Sequence, residues 1–178
     1  MKLTHLLATV AALLTLASPL ARSAGPTAGD AAPNELGKTY NGDKVLLSDH
    51  AGKVVIVSFW ATWCTYCLKE LPILEGIQKV AGKAHNLQVI AVNTEDRDVF
   101  RHVLRTLKTM TVSMAYDPEK IGQKAYGVSG IPHLVIIGRD GVIIRVYRGY
   151  GEETLNKITD DINLAIGANT PAATTLAP

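Results

Sequence analysis

Cysteine is scarce in this 178-residue chain: Cys64 and Cys67 are the whole supply. No second cysteine pair exists to complete a closed four-thiolate metal site. A framework of structural disulfides is excluded as well, since the one possible bridge spans a single helical turn and closes a minimal loop. Excess charge of one sign is also missing. Setting aside Lys2 and Arg22, which fall in the leader described next, leaves sixteen basic residues facing sixteen acidic ones. That balance gives no support for nucleic acid or an anionic surface as a partner. The histidines, His50, His85, His102 and His133 among them, are scattered without ligand spacing. Internal repeats are absent.

The chain also lacks an apolar run of the ~20 residues that a membrane span takes. Its longest apolar stretch, Leu6 to Leu16, is interrupted by threonines, follows Lys2 and precedes the small residues Pro19 to Ala24. This is the pattern of a cleavable export signal, with Ala21-Arg22-Ser23 placing the cut after Ser23. Residues 1–23 are therefore expected to be a signal peptide and 24–32 an Ala, Gly and Thr-rich linker. Residues 33–167 should form one domain, and 168–178, rich in Ala, Thr and Pro, a disordered tail. No cysteine lies near the cut, which argues against a lipid anchor. Export implies an oxidising compartment outside the cytoplasm, such as a periplasm.

What is present has a clear order. Asn41-Gly42 centres a hairpin of two short strands. Val54-Val55-Ile56-Val57 opens a buried strand over 54–60, and Leu87 to Asn93 gives another. Between them a helix from Thr65 to Ala81 shows Leu71, Leu74, Ile77 and Val80 on one side, with Pro72 inside and Gly82 as its stop. Strand, helix, strand implies a parallel pair with a right-handed crossover. A helix from Arg97 to about Lys108 buries Val99, Phe100, Val103, Leu104 and Leu107. It turns Arg97, Arg101, Arg105 and Lys108 to a solvated face. A short strand near Val112 to Ala115 precedes Asp117-Pro118, which opens a helix to about Tyr126. Arg139-Asp140-Gly141 turns a second antiparallel hairpin, and Glu152 to Ile166 forms a closing amphipathic helix.

The two cysteines fall where the first buried strand stops and its helix begins. Unpaired N–H groups and the positive end of the helix dipole favour an anion there, and a thiolate is the anion on offer. A dithiol so placed suits thiol–disulfide exchange.

Other positions agree. Trp63-Cys64-Thr65-Tyr66-Cys67 is a W-C-x-x-C, Pro72 stands five residues beyond Cys67, and Tyr126-Gly127-Val128-Ser129-Gly130-Ile131-Pro132 reads Y-G-x-x-G-I-P. Over about residues 33–166 the chain resembles the thioredoxin superfamily. Within it, the chain looks most like the extracytoplasmic TlpA/ResA-like disulfide reductases, a group that includes cytochrome c maturation thioredoxins. The carriers of that likeness are Ala32-Pro33-Asn34, Asn41-Gly42, Leu47-Ser48-Asp49, Gly52-Lys53, Trp60 to Cys67 and Glu70-Leu71-Pro72. The resemblance implies an α/β thioredoxin-like fold, a central mixed sheet flanked by helices, with an added N-terminal β-hairpin.

Under that resemblance Cys64 is the exposed nucleophile and Cys67, more buried, resolves the mixed disulfide. Pro132 is implied to be cis, freeing Ile131 to pair its backbone with an extended substrate strand. Trp63 and Trp60 would wall the site, and Tyr66 would mark a surface for a partner. Glu70, three residues past Cys67, lies on nearly the same helix face, and the equivalent glutamate of the resembling reductases tunes the cysteines and moves protons. Glu95 is read as a cap for the next helix, and His133 as a packed or solvated neighbour of Pro132. Two departures stand out. Ser58 occupies the place of thioredoxin's buried aspartate, and Thr65-Tyr66 lacks the proline common in reductases.

The reading is a monomeric reductase of substrate proteins with disulfides, needing no cofactor or resident metal and resupplied by a membrane electron donor. An oxidase or isomerase follows instead if Thr65-Tyr66 stabilises the thiolate and raises the potential. A metal-binding or copper-delivery protein using Cys64, Cys67 and a histidine is the alternative outside enzyme chemistry.

Overall fold

Seven consecutive residues, Val54–Trp60, are buried on both sides and form β3 at the centre of the sheet. In this computed structural model residues 25–149 and 151–167 are described. The expected signal peptide and tail lie outside the described residues. Two short strands precede β3, β1 (Glu35–Lys38) and β2 (Lys44–Leu46), paired antiparallel about a turn in which Gly42 has φ +97°. A 3-10 turn, Leu47–His50, leads into β3. Then follow α1 (Thr65–Ala81), β4 (Leu87–Asn93), α2 (Arg97–Thr106), β5 (Ser113–Tyr116), α3 (Ile121–Ala125), β6 (His133–Ile137), β7 (Ile143–Arg148) and α4 (Glu152–Gly167).

The described residues form a seven-stranded mixed sheet in the order β2-β1-β5-β4-β3-β6-β7. β3, β4 and β5 run parallel; on the other side of β3, β6 pairs antiparallel with it and β7 pairs antiparallel with β6. The N-terminal hairpin extends the far edge through one pairing, Lys38 opposite Tyr116. The expected architecture is thus the one observed.

Alternation along β3 divides the core. Val54, Ile56 and Trp60 belong to one apolar cluster with Cys64, Cys67, Leu71 and Leu74 of α1 and Ile158 and Ile162 of α4. Val55, Val57 and Phe59 belong to another with Leu36, Ile90, Tyr126 and Val135. The dithiol therefore sits on one side of the sheet, over the C-terminal end of its central strand.

Several local expectations are corrected. Val80 is 77% exposed. Successive steps of three residues slip about 60° each around a helix, so Val80 ends about 180° from Leu71. The buried stripe of α1 is instead Cys67, Glu70, Leu71, Leu74, Glu75 and Ala81. Glu75 is tolerated there because its carboxylate accepts from Thr111 N (2.8 Å) and Val112 N (3.1 Å) and pairs with Lys79 (3.1 Å). The helix after Asp117-Pro118 starts later, at Ile121, because the Asp117 carboxylate accepts from Ile121 N and Gln123 N and holds the intervening turn.

Composition also concealed the role of the stretch before Pro33. Gly29 N donates to Ile143 O (2.8 Å), Ile143 N to Asp30 O (2.9 Å) and Ala32 N to Gly141 O (2.9 Å), so this stretch lies along the start of β7. Gly25 packs against Gly127, where φ is +65° and an added Cβ would meet Gly25 Cα at 2.3 Å. Glycine at 127 is thus required twice, by conformation and by space.

Candidate active site

β3 delivers the chain to a short loop, Ala61 to Trp63, at the sheet end where β6 begins. Phe59 lies opposite His133, so the Ile131–Pro132 peptide falls at that same end. That peptide is cis, as the resemblance implied. Pro132 is buried, its carbonyl accepts from Gly149 N (2.8 Å), and Ile131 packs against the cluster that contains both cysteines.

Cys64 is the N-cap of α1. Its carbonyl accepts the first helical bond from Leu68 N (3.1 Å), and its sulfur accepts from Cys67 N (3.1 Å). The sulfurs of Cys64 and Cys67 are joined in a disulfide. Exposure is 7% for Cys64 and 1% for Cys67, so Cys64, expected to be openly exposed, is the more reachable sulfur of the two but is recessed. Once the bond is reduced, the N–H that now meets Cys64 Sγ is placed to stabilise its thiolate, together with the helix dipole.

The aromatic residues separate by depth. Trp63 is 71% exposed and Tyr66 55%, and they form a rim with Leu68; Lys69 Nζ lies 5.7 Å from the Tyr66 ring centroid. Trp60, expected beside Trp63 as a wall, is instead fully buried beneath the cysteines.

Glu70 lies inside the protein, 2% exposed, with its Oε1 accepting from the Ser58 hydroxyl at 2.6 Å. Burial raises its carboxyl above the usual range, and the Ser58 bond pulls it partly back. The residue standing in for thioredoxin's aspartate and the glutamate of the helix thus form one buried pair. That pairing was invisible in the sequence, where twelve positions separate the two.

Glu95 does not cap α2. Asp96 does, accepting from Asp98 N and Val99 N, as expected of the residue immediately before the first helical one. Glu95 turns back to the cysteine loop instead. Its carboxylate accepts from Thr62 N (2.6 Å), Thr62 Oγ1 (2.8 Å) and Asn93 Nδ2 (3.1 Å), two residues before Cys64. Sequence reasoning missed this anchor, and Asn93 with it. Glu95→Ala should lower unfolding stability by about 1–3 kcal/mol, because it leaves three donors unmatched. Urea unfolding and faster hydrogen exchange at the Thr62 amide would check it.

His133 faces away from the thiols. Its ring meets Phe59 edge-on at 6.0 Å, on the other side of the sheet, and neither nitrogen has a partner among the described residues. Burial, helped by Arg148, pushes its pKa down to about 4, so it is uncharged at neutral pH. Among the described residues no group of three or more His, Cys, Asp or Glu is placed to hold a metal ion. No helix of the described residues is long and apolar enough to cross a membrane.

A recessed cysteine at a helix N-terminus, a buried partner one turn on and a buried carboxyl beyond it can perform dithiol exchange. The family model described as Redoxin matches residues 27–162. The thiol-disulfide oxidoreductase ResA of Bacillus subtilis (strain 168) is 31% identical over 136 residues, 76% of this chain and 74% of that protein. The thioredoxin-like protein YneN of the same strain is 33% identical over 131 residues, 72% and 75% of the two chains. A crystal structure of a candidate thiol:disulfide interchange protein DsbE from Chlorobium tepidum superposes with a TM-score of 0.68 at 31% identity, covering 79% of this chain and 98% of that one.

Proposed function

Because this chain belongs to the Redoxin family and is a thiol–disulfide oxidoreductase of the ResA and DsbE type, we propose that it works as an exported reductase of protein disulfides. The observation that carries the reading is the graded burial of the pair at the start of α1, Cys64 reachable and Cys67 sealed behind it. The Cys64 thiolate attacks a substrate disulfide, expels one substrate sulfur and forms a mixed disulfide. Cys67, its proton accepted by Glu70, then attacks Cys64 Sγ and releases the second substrate sulfur. The protein dithiol is oxidised to the disulfide while the substrate is reduced by the same two electrons. Ile131 and Pro132 are the proposed strand-binding edge, with Trp63 and Tyr66 contacting the substrate beside it. Apocytochrome c, with its cysteine pair, is one candidate substrate, and a membrane donor of electrons would restore the dithiol.

Direction of flow is tested by equilibrating the protein with glutathione buffers and reading the thiol fraction. A midpoint below about −200 mV is expected, on the thioredoxin and glutaredoxin side of the scale. A value near about −120 mV, that of a strong oxidant, would turn the reading to the oxidase alternative, in which Thr65-Tyr66 stabilises the thiolate and raises the potential.

A further inference from the structure

Ser58 stands at the middle of the thiol side of β3. Its neighbours on that side, Ile56 and Trp60, belong to the apolar cluster of Cys64 and Cys67. A fully buried hydroxyl there costs stability unless bonded, and its hydrogen goes to Glu70 Oε1 at 2.6 Å. No cation pairs with Glu70 among the described residues, so this hydroxyl is the polar partner that fixes the carboxyl. Glu70 follows Cys67 by three residues and lies one helical turn beyond it.

We infer that Ser58 is a positioning residue of the exchange reaction: its hydroxyl holds the Glu70 carboxylate where the Cys67 proton leaves. The inference rests on the proposed role of Glu70 as proton acceptor. Few other groups compete for control of that proton. β3 and β4 carry no titratable residue, and the one on β6, His133, turns to the opposite side. On α4, Asp160 is exposed, and Asp161 accepts from Arg145 and Tyr147 of β7. Arg148 of β7 is exposed. On α1 itself Tyr66 and Lys69 lie at the surface, and Glu75 is held by Thr111, Val112 and Lys79. Glu95, after β4, is held by Thr62 and Asn93, which leaves Cys64 and Cys67 as the other reactive groups on the side of Glu70 toward the start of α1.

The reaction that reads this out uses an aromatic disulfide whose free thiolate, thionitrobenzoate, is coloured. The Cys64 thiolate attacks one sulfur, and the first coloured thiolate leaves. Cys67 S–H then passes its proton to Glu70 and its sulfur attacks Cys64 Sγ. The bond from Cys64 to the aryl sulfur breaks, the Cys64–Cys67 bond forms, and the second coloured thiolate leaves with the electron pair. The proton goes on to solvent. The second release reports the step in which Ser58 acts.

Ser58→Thr and Ser58→Val add nearly the same volume, and only the threonine keeps the hydroxyl. In the wild type and Ser58→Thr, the acid limb of the second release, followed between about pH 5 and 9, should coincide. In Ser58→Val it should move to higher pH by about one unit, because loss of a donor to the carboxylate disfavours the charged form while burial persists. The first release should stay within about twofold across the three proteins. Coincident limbs in Ser58→Val and the wild type, or an equal displacement in Ser58→Thr, would overturn the inference and leave the exchange reading standing. Absence of a first release from the reduced wild type would overturn the exchange reading itself. Should Ser58→Val fail to fold, Ser58→Ala carries the same expectation on the same limb.

Discussion

Cys67→Ser is expected to stop the protein at a mixed disulfide, with turnover of a disulfide-bonded protein falling at least about a thousandfold. Cys64 keeps its place as N-cap of α1, so the first attack survives and its product has no internal route to resolution. The product is a covalent adduct that reductant releases and whose mass gives the substrate. Cys64→Ser should lose turnover equally but form no adduct, because the remaining sulfur is 1% exposed. Mass spectrometry under non-reducing conditions separates the two. Equal trapping by both variants would reassign the nucleophile. No trapping by Cys67→Ser, with a reduced Cys64 inert to alkylation, would remove dithiol exchange as the function.

Glu70→Gln should slow the resolving step by about 100-fold at neutral pH and erase its acid limb. The same substitution should raise stability above the carboxylate range. In the native protein burial lifts the carboxyl's proton affinity above its unfolded value, so between the two pKa values the folded state binds more protons than the unfolded state. Stability therefore falls as pH rises through that window, and the loss is complete above the folded value. Glutamine cannot ionise and should escape it. At about pH 8 the thermal midpoint of the variant should exceed that of the wild type by about 2–4 °C, and near pH 4 the two should converge. A variant that is slower yet more stable identifies a group kept for chemistry at a cost to folding. Loss of stability at both pH values with unchanged resolution would show Glu70 to be a packing residue.

Local pattern carried much of the fold. The boundaries of β3, α1 and β4 follow from apolar runs, from the helix opening at Thr65 and from Gly82 as its stop, all of which act within a few residues. Failures came where a residue's fate depended on something distant. Spacing put Glu70 on the Cys67 face but did not show its partner Ser58; Glu75 looks like a surface residue by composition, yet it is buried against Thr111 and Val112. Glu95 sits where a cap is plausible, yet two of its three donors belong to Thr62, thirty-three positions earlier.

The sequence alone determined that a dithiol would lie at the mouth of the first core helix, because a buried strand, a W-C-x-x-C and a helix-forming run are contiguous. It also determined the order of strands and helices, since apolar periodicity and turn residues are local properties. Only the tertiary structure decided which hydroxyl meets the Glu70 carboxyl, which glutamate anchors the cysteine loop, which histidine is turned away and which tryptophan is sunk beneath the site. Those outcomes depend on how the two sides of one sheet are shared among helices distant in sequence, and local periodicity contains no record of that sharing.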